Sequence, residues 1–195
     1  MTHDHTKKVL IGTSGSALKK MSTGDTTGNE QRIHTPKSYL RLLDKLWPEG
    51  ISCEPYSSPD SLVVADEKHG PEFEIKDSLL VPWPDRSFIN PAYNALSEAF
   101  AHGMQFDEQV WLIPVRPHRT WWRAARNACD LVCWMNPIKF VGFDQQFPAA
   151  VATFYRGRRS LLAYEVFSAI GDCELQDRRE LWEQFEHGQQ RSLFA

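Results

Sequence analysis

The sequence predicts an α/β fold with a mostly parallel sheet flanked by helices. Short apolar runs typical of buried strands alternate with segments whose apolar residues recur at helical spacing. Such alternation packs helices against a sheet of largely parallel strands. The chain has 195 residues, of which 42% are hydrophobic, enough for one domain with a core and too few for two ordinary ones. No internal repeat is visible.

A polar segment precedes the predicted domain. Residues 1–31 contain few large apolar side chains and include a Gly- and Thr-rich stretch, which cannot bury enough surface to offset the entropy lost on ordering. We therefore expect a flexible, mildly basic arm at 1–31 and a single folded domain at 32–195.

Helices are predicted where apolar residues recur every three or four positions after a capping residue or a proline. In the first helix Thr35 suits the cap and Pro36 the first turn. The predicted helices cover residues 35–46, 61–65, 95–104, 120–128, 161–170 and 175–187.

Strands are predicted at short apolar runs bounded by proline, glycine or polar residues. The clearest run is Val110-Trp111-Leu112-Ile113, which reads as a fully buried strand. The predicted strands cover residues 51–54, 87–90, 110–115, 131–135, 138–141 and 149–155.

Three of the predicted strands end in residues that can take part in chemistry. The carboxyl ends of parallel strands meet at one edge of a sheet, and ligands bind in the crevice there. The segments that follow these strands are Glu54-Pro55, Asn90-Pro91-Ala92-Tyr93 and Arg116-Pro117-His118-Arg119. We expect all three to lie along that edge.

The charge balance argues against binding nucleic acid through overall charge. With 22 basic and 25 acidic residues the net charge is −3, which leaves only a local basic cleft for that purpose. No apolar run is long enough for a signal peptide or a membrane span, so we expect a soluble, cytoplasmic protein. The 7 Trp and 11 Phe residues exceed the needs of packing, and we expect some of them at a binding face.

The cysteines do not form a metal-binding pattern. No two of them form a CxxC pair, and no neighbouring histidine has ligand spacing. We expect no metal and predict that the cysteines are reduced, buried small side chains, with a zinc site as the weaker alternative.

The segment Asn90-Pro91-Ala92-Tyr93 places an amide, a rigid carbonyl and an aromatic ring at the end of a predicted strand. An amine conjugated to a purine ring is a weak nucleophile because its lone pair is delocalised. Acceptors on its two hydrogens draw it towards tetrahedral geometry. The Asn90 side-chain oxygen and the Pro91 carbonyl suit this role, since proline fixes φ and offers no N–H. Tyr93 is suited to stack on an extruded base, and catalysis by such a segment rests on positioning and electrostatics.

A turn without catalytic role is the alternative, because Asn-Pro is a common turn dipeptide. The chain contains a second one, Asn136-Pro137, after another predicted strand. There Lys139 stands in the place that Tyr93 takes in the first segment.

Several segments in order, over residues 29–170, resemble the phage-type Dam family of DNA adenine methyltransferases. Each segment alone is weakly specific, whereas their order and spacing together are specific. The matching segments are His34-Thr35-Pro36 before a Leu-rich helix, Cys53-Glu54-Pro55-Tyr56-Ser57-Ser58, Asp77-Ser78-Leu79-Leu80, Asn90-Pro91-Ala92-Tyr93, Leu112-Ile113-Pro114-Val115-Arg116, Thr120-Trp121-Trp122, and two core segments at 138–140 and 147–151.

The resemblance implies a Rossmann-like S-adenosylmethionine-dependent methyltransferase fold and methyl transfer to the exocyclic amine of adenine in DNA. Asn90, Pro91 and Tyr93 would be catalytic. S-adenosylmethionine would be the cofactor, and double-stranded DNA the partner, in the host cytoplasm if a phage encodes the protein; a homodimer is left open. The residues implied in cofactor binding are Thr35, Pro36, Glu54, Pro55, Ser57, Asp77 and Asn90.

For two of the acidic residues a structural role is the alternative. Glu54 is suited to accept from an amine or a water beside the methionine part of the cofactor, but would otherwise be a surface acid at a strand end. Asp77 is suited to accept from the adenosine amine, but would otherwise cap a helix or turn.

The basic segment after the strand at 110–115 is expected to contact DNA phosphates through Arg116, His118 and Arg119. Adjacent residues on a helix cannot share a face, so one of Trp121 and Trp122 is expected in the core; we assign Trp122 to the substrate side. A solvated loop is the alternative for the basic segment. A second basic patch at 156–159 has the same two interpretations.

Two departures from the family leave other functions open. Ala92 replaces the second proline of the family's Asn-Pro-Pro-Tyr, and Glu54 replaces the usual Asp of its cofactor segment. A weakened or inactive relative that binds nucleic acid or protein is one alternative. An amine methyltransferase acting on cytosine or on RNA is the other.

Overall fold

The computed structural model describes residues 34–92, 94–142, 146–147 and 149–176. The predicted arm at 1–31 lies outside these residues, as does all but the start of the predicted helix at 175–187. The strands are β1 (Ile51–Glu54), β2 (Ala65–Lys68), β3 (Ser87–Ile89), β4 (Gln109–Pro114), β5 (Leu131–Met135), β6 (Val151–Arg156) and β7 (Gly171–Leu175). The α-helices are α1 (Lys37–Leu46), α2 (Leu96–Gly103), α3 (Thr120–Ala128) and α4 (Ser160–Phe167), and a 3₁₀ helix covers Ser78–Leu80.

The described strands form one seven-stranded sheet in the order β2-β1-β3-β4-β6-β5-β7. The pairs β1–β2, β1–β3 and β3–β4 are parallel, whereas β6 is antiparallel to both β4 and β5, and β7 is antiparallel to β5. Strands β1 to β5 therefore share one direction, and β6 and β7 run against it. The predicted α/β class is confirmed, with a sheet that is parallel in its first half and mixed in its second.

Helices cover both faces of this sheet. On the first face the Tyr39 ring of α1 lies near Phe88 and Phe167, and its hydroxyl shares a 2.8 Å hydrogen bond with Thr153 of β6. On the second face α2 and α3 pack over Ile89, Trp111 and other members of a buried cluster. Both faces are therefore buried, which explains why β4 is apolar at successive positions.

The tryptophans belong mainly to the core. Trp47, Trp83, Trp111 and Trp122 are each at most 2% exposed, and the Trp111 ring stacks on Phe100 with centroids 4.1 Å apart. The expectation that the excess of aromatic residues marks a binding face is wrong for these four. Their size instead fills the space between the sheet and its helices.

Two strands were not predicted, and two predicted elements do not form. The two edge strands, β2 and β7, are half-exposed and polar. No apolar pattern therefore predicts them, and they form by pairing with a buried neighbour. Residues 61–64 are irregular rather than helical. The predicted strand at 138–141 is also absent; Phe140 is buried against Phe147, and Val141 makes only an isolated bridge with His34.

Within the described part of the chain, no helix has both the length and the apolar character needed to cross a membrane.

Candidate functional site

The sheet changes its winding direction between β1 and β3. Strand β2 lies on one side of β1, and the chain then returns to place β3 on the other side. In α/β sheets this switch opens a crevice at the carboxyl ends of the two strands, where ligands bind. The segments at that crevice are 55–57, after β1, and 90–92, after β3.

A cavity of about 340 Å³ lies at this crevice, a size typical of small-molecule sites. Four residues predicted to bind a cofactor line it: Pro55, Ser57, Asp77 and Asn90. The cavity also takes in residues that the sequence analysis did not single out. Its complete lining is Pro55, Tyr56, Ser57, Gly70, Pro71, Lys76, Asp77, Ser78, Leu79, Asn90, Ala92 and Ala95.

Asn90 is half-buried and faces the cavity. Side chains alternate along a strand, so Asn90 points to the same face as Phe88, the face that α1 covers. Its amide nitrogen lies 3.5 Å from Thr35 Oγ1 and donates to it. Among the described residues nothing donates to its side-chain oxygen, which is therefore available to a ligand.

The prediction that Thr35 caps the first helix is wrong. Pro36 takes the N-cap position without a side-chain cap, and the helix begins at Lys37. Thr35 is instead 5% exposed and holds Asn90. The structure thus brings together two residues that are 55 positions apart and that the sequence analysis assigned to one site.

Pro91 is buried and does not line the cavity, and Tyr93 lies outside the described residues. No donor from the described part of the chain reaches the Pro91 carbonyl. The exposed Ala92 lines the cavity beside Asn90, and its carbonyl accepts from Ala95 N at 2.9 Å, which turns the chain into α2.

Glu54 is not a surface acid, since its relative exposure is 5%. Its carboxylate accepts from Ser57 Oγ at 2.6 Å and from Ser61 Oγ at 2.8 Å. Burial raises the pKa of Glu54, and the two serine hydroxyls and Lys68 oppose that rise. Glu54 does not line the cavity. Through Ser57 it instead anchors the loop 55–57, whose residues line the cavity.

The same loop is tied to the end of β2. Ser57 N donates to His69 O at 2.8 Å, and His69 N donates to Glu54 O at 3.1 Å. A Cβ on Gly70 would lie 2.6 Å from the Ser57 carbonyl oxygen. Glycine is therefore required here by the close approach of two backbones, a requirement that the sequence shows only as an isolated glycine.

Asp77 combines the two roles that the sequence analysis set against each other. It caps the 3₁₀ helix by accepting from Leu79 N at 3.0 Å through Oδ1. It is also exposed at the cavity, where its second carboxylate oxygen is available to a donor.

The basic segment after β4 lies at the same edge of the sheet, as predicted. Strand β4 pairs through Trp111 with Ile89 and continues for three residues beyond that pair. His118 and Arg119 are exposed, whereas Arg116 is half-buried and donates to the Val115 carbonyl at 2.9 Å.

The assignment of Trp122 to a nucleic-acid surface is wrong. Its relative exposure is 1%, and its ring packs 4.9 Å from that of Phe154. Its neighbour Trp121 is the half-buried one and stacks on Phe100. Burial rather than adjacency decides between the two, because α3 turns its Trp122 face to the sheet.

The second basic patch serves structure at the opposite edge of the sheet. Arg156 donates to the carbonyls of Phe106 and Ala128 at 3.1 and 2.9 Å. Arg159 pairs with Glu49 at 2.7 Å. Arg156 and Arg159 are therefore engaged by groups of the protein itself, which argues against their interpretation as a phosphate-binding patch.

A second cavity of about 340 Å³ lies between the start of α1 and the carboxyl end of β5. Pro36 and the second Asn-Pro pair, Asn136-Pro137, line it. It contains neither Asn90 nor Asp77, so the predicted cofactor residues concentrate in the first cavity.

Comparisons of the chain with protein-family models, with curated proteins and with solved structures found no match.

Proposed function

We propose that this protein is an S-adenosylmethionine-dependent methyltransferase that modifies the exocyclic amine of adenine in DNA. The observation that carries the proposal is the cavity at the crevice between β1 and β3. It gathers Ser57, Asp77 and Asn90, which come from three of the segments that resemble the phage-type Dam family. The sheet order, with its switch at that point, is compatible with the Rossmann-like fold of such enzymes.

The cavity lining suits the cofactor. Pro55, Leu79 and Ala95 provide apolar surface for the adenine ring and the thioether chain, and Asp77 provides a carboxylate for an amine or a hydroxyl donor. S-adenosylmethionine, when bound, supplies a methyl group activated by a positively charged sulfur. Glu54 acts indirectly by fixing the Ser57 loop.

The chemistry falls to the end of β3. The Asn90 oxygen accepts one amine hydrogen of an extruded adenine at the cavity. The Pro91 carbonyl, to which the described residues offer no donor, accepts the other; because Pro91 is buried and outside the cavity lining, this contact requires the segment 90–92 to shift when the base binds. The amine nitrogen then directs its lone pair at the methyl group. The cofactor would supply the methyl group, with the electron pair of its S–C bond remaining on sulfur, while Asn90 and Pro91 would hold the amine as it loses one proton to water. Such positioned acceptors typically contribute a factor of about 10²–10³.

Incubation with labelled cofactor and unmethylated duplex DNA, followed by nucleoside analysis by mass spectrometry, tests the proposal. We expect methylated adenine in the DNA. RNA is tested in parallel as the alternative substrate. Methylated cytosine or methylated RNA would favour the broader amine methyltransferase. Folded protein that neither binds the cofactor in calorimetry nor methylates any substrate would overturn the proposal in favour of a binding module.

A further inference from the structure

Three side chains with metal-ligating atoms meet on one face of the sheet, beside the proposed cofactor cavity. Cys53 of β1 is the register partner of Glu67 of β2, so their side chains point to the same face. His69 follows Glu67 by two positions and returns to that face. The ligand atoms of Cys53, Glu67 and His69 all lie within 4.8 Å of one another.

The shortest contacts meet at one ring nitrogen. His69 Nε2 lies 3.5 Å from Cys53 Sγ and 3.5 Å from Glu67 Oε2. A nucleophile–base–acid relay would use the two ring nitrogens separately. Cys53 Sγ does lie 3.9 Å from His69 Nδ1, but it is closer to Nε2, the nitrogen that Glu67 also contacts, which does not fit a relay. This arrangement fits three ligands that surround a common point.

The spacing agrees with tetrahedral coordination. Zinc lies about 2.3 Å from sulfur and about 2.0–2.2 Å from nitrogen or oxygen. At tetrahedral angles these lengths separate sulfur from nitrogen by about 3.6 Å and nitrogen from oxygen by about 3.4 Å. The sulfur–nitrogen and nitrogen–oxygen separations are both 3.5 Å, and the sulfur–oxygen separation is within 4.8 Å, so two of the three ligand pairs already have the spacing that a small cation requires.

Burial and charge favour a divalent cation. Cys53 and His69 are 0% exposed. A bound cation displaces the proton of a thiol ligand. A thiolate, a carboxylate and a neutral imidazole then balance two positive charges, which removes the cost of burying net charge.

We propose that Cys53, Glu67 and His69 bind one Zn²⁺, with a fourth position for water or another ligand. The proposal departs from the sequence-based expectation of no metal, because 16 positions separate Cys53 from His69 and only the β1–β2 register brings them together. His69 O also accepts from Ser57 N. The ion would therefore fix the loop that forms one wall of the cavity.

Metal analysis of the full chain tests the site. After chelator treatment, the protein is titrated with Zn²⁺ against a chromophoric chelator and, separately, with Co²⁺, whose absorption reports sulfur ligation. We expect one equivalent of Zn²⁺ and a thiolate-to-cobalt band. Cys53→Ser should weaken Zn²⁺ binding about 100-fold or more. Glu67→Gln, at a side chain that is 55% exposed, leaves the fold intact and should weaken it about tenfold.

Cys173→Ser is the matched control, since Cys173 is a partly exposed thiol on the far edge strand β7. It should bind Zn²⁺ as the parent protein does. Absence of a stoichiometric site, or binding that survives both Cys53→Ser and Glu67→Gln, would overturn the proposal. These readouts are independent of methyl transfer, so the metal site and the proposed activity fail or succeed separately.

Discussion

The sheet has one edge where the parallel strands begin and another where they end, and these two edges use similar residues in opposite ways. At the edge where β4 begins and β6 ends, the Glu108 carboxylate accepts from Trp47 Nε1, the Tyr155 hydroxyl and Arg158 N at 2.8–3.2 Å. At the edge where β3 ends, Asn90 makes one side-chain hydrogen bond to a described residue, Thr35, at 3.5 Å. Both edges carry polar side chains after or before apolar strands, so composition does not separate them.

The difference lies in how fully each polar group is used. Around Glu108 the donors and acceptors are mutually satisfied, which stabilises the fold and leaves little for a ligand. Around Asn90 the described residues leave the amide oxygen unengaged beside a cavity. Hydrogen-bonding groups that the described residues leave without a partner therefore indicate the site better than residue composition does.

The largest expected effect is at the unsatisfied edge. Asn90→Ala should lower methyl-transfer turnover about 10²–10³-fold, because one of the acceptors for the amine is lost. Cofactor affinity, measured by calorimetry, should stay within a few-fold. Asn136→Ala, in the other Asn-Pro pair, is the control and should retain turnover. A parent-like rate in Asn90→Ala would remove Asn90 from the mechanism.

The opposite edge should respond in stability and not in activity. Glu108→Ala leaves the Tyr155 hydroxyl, Trp47 Nε1 and Arg158 N without their acceptor and should lower the free energy of unfolding by about 2 kcal/mol. Chemical denaturation measures that loss. Turnover per folded molecule should be unchanged. A selective loss of turnover would instead mean that the edge around Glu108 also takes part in the reaction.

Asp77 both caps the 3₁₀ helix and lines the cavity, and two substitutions separate these roles. Asn caps helices about as well as Asp, so Asp77→Asn keeps the cap while it removes the charge, and cofactor affinity should fall about tenfold. Asp77→Ala should in addition destabilise the protein by about 1 kcal/mol. If Asp77→Asn binds the cofactor as the parent does, the carboxylate serves the fold alone.

The smallest effects concern the two basic patches. Arg119→Ala should weaken duplex DNA binding a few-fold and reduce the salt dependence by about one counterion, as measured by fluorescence anisotropy at several salt concentrations. Arg159→Ala should leave DNA binding unchanged and alter stability by no more than about 1 kcal/mol, because its partner Glu49 is exposed. Equal losses in the two variants would mean that overall charge rather than position governs binding.

Sequence patterns predicted the parts of the fold that hydrophobicity dictates. The buried run at Val110 and the helix after Pro36 are of this kind, as is the placement of Asn90 at a strand end. The strands β2 and β7 could not be predicted, because they are polar and owe their form to a neighbouring strand.

At the site, residue type indicated Asn90 and Asp77, but contacts decided the roles of the others. Glu54 lies behind the cavity wall because two serines engage it, and Trp122 lies in the core because of how α3 turns. The approach of Gly70 to Ser57, and of His69 to Cys53, depends on strand register, which no local pattern encodes.

The Trp83 ring stands edge-on to Tyr56, with centroids 5.9 Å apart, and Tyr56 lines the cavity. Occupation of the cavity should therefore perturb the emission of an indole that solvent does not reach. Intrinsic fluorescence at this pair offers an optical, label-free measure of ligand entry, even for variants that catalyse nothing.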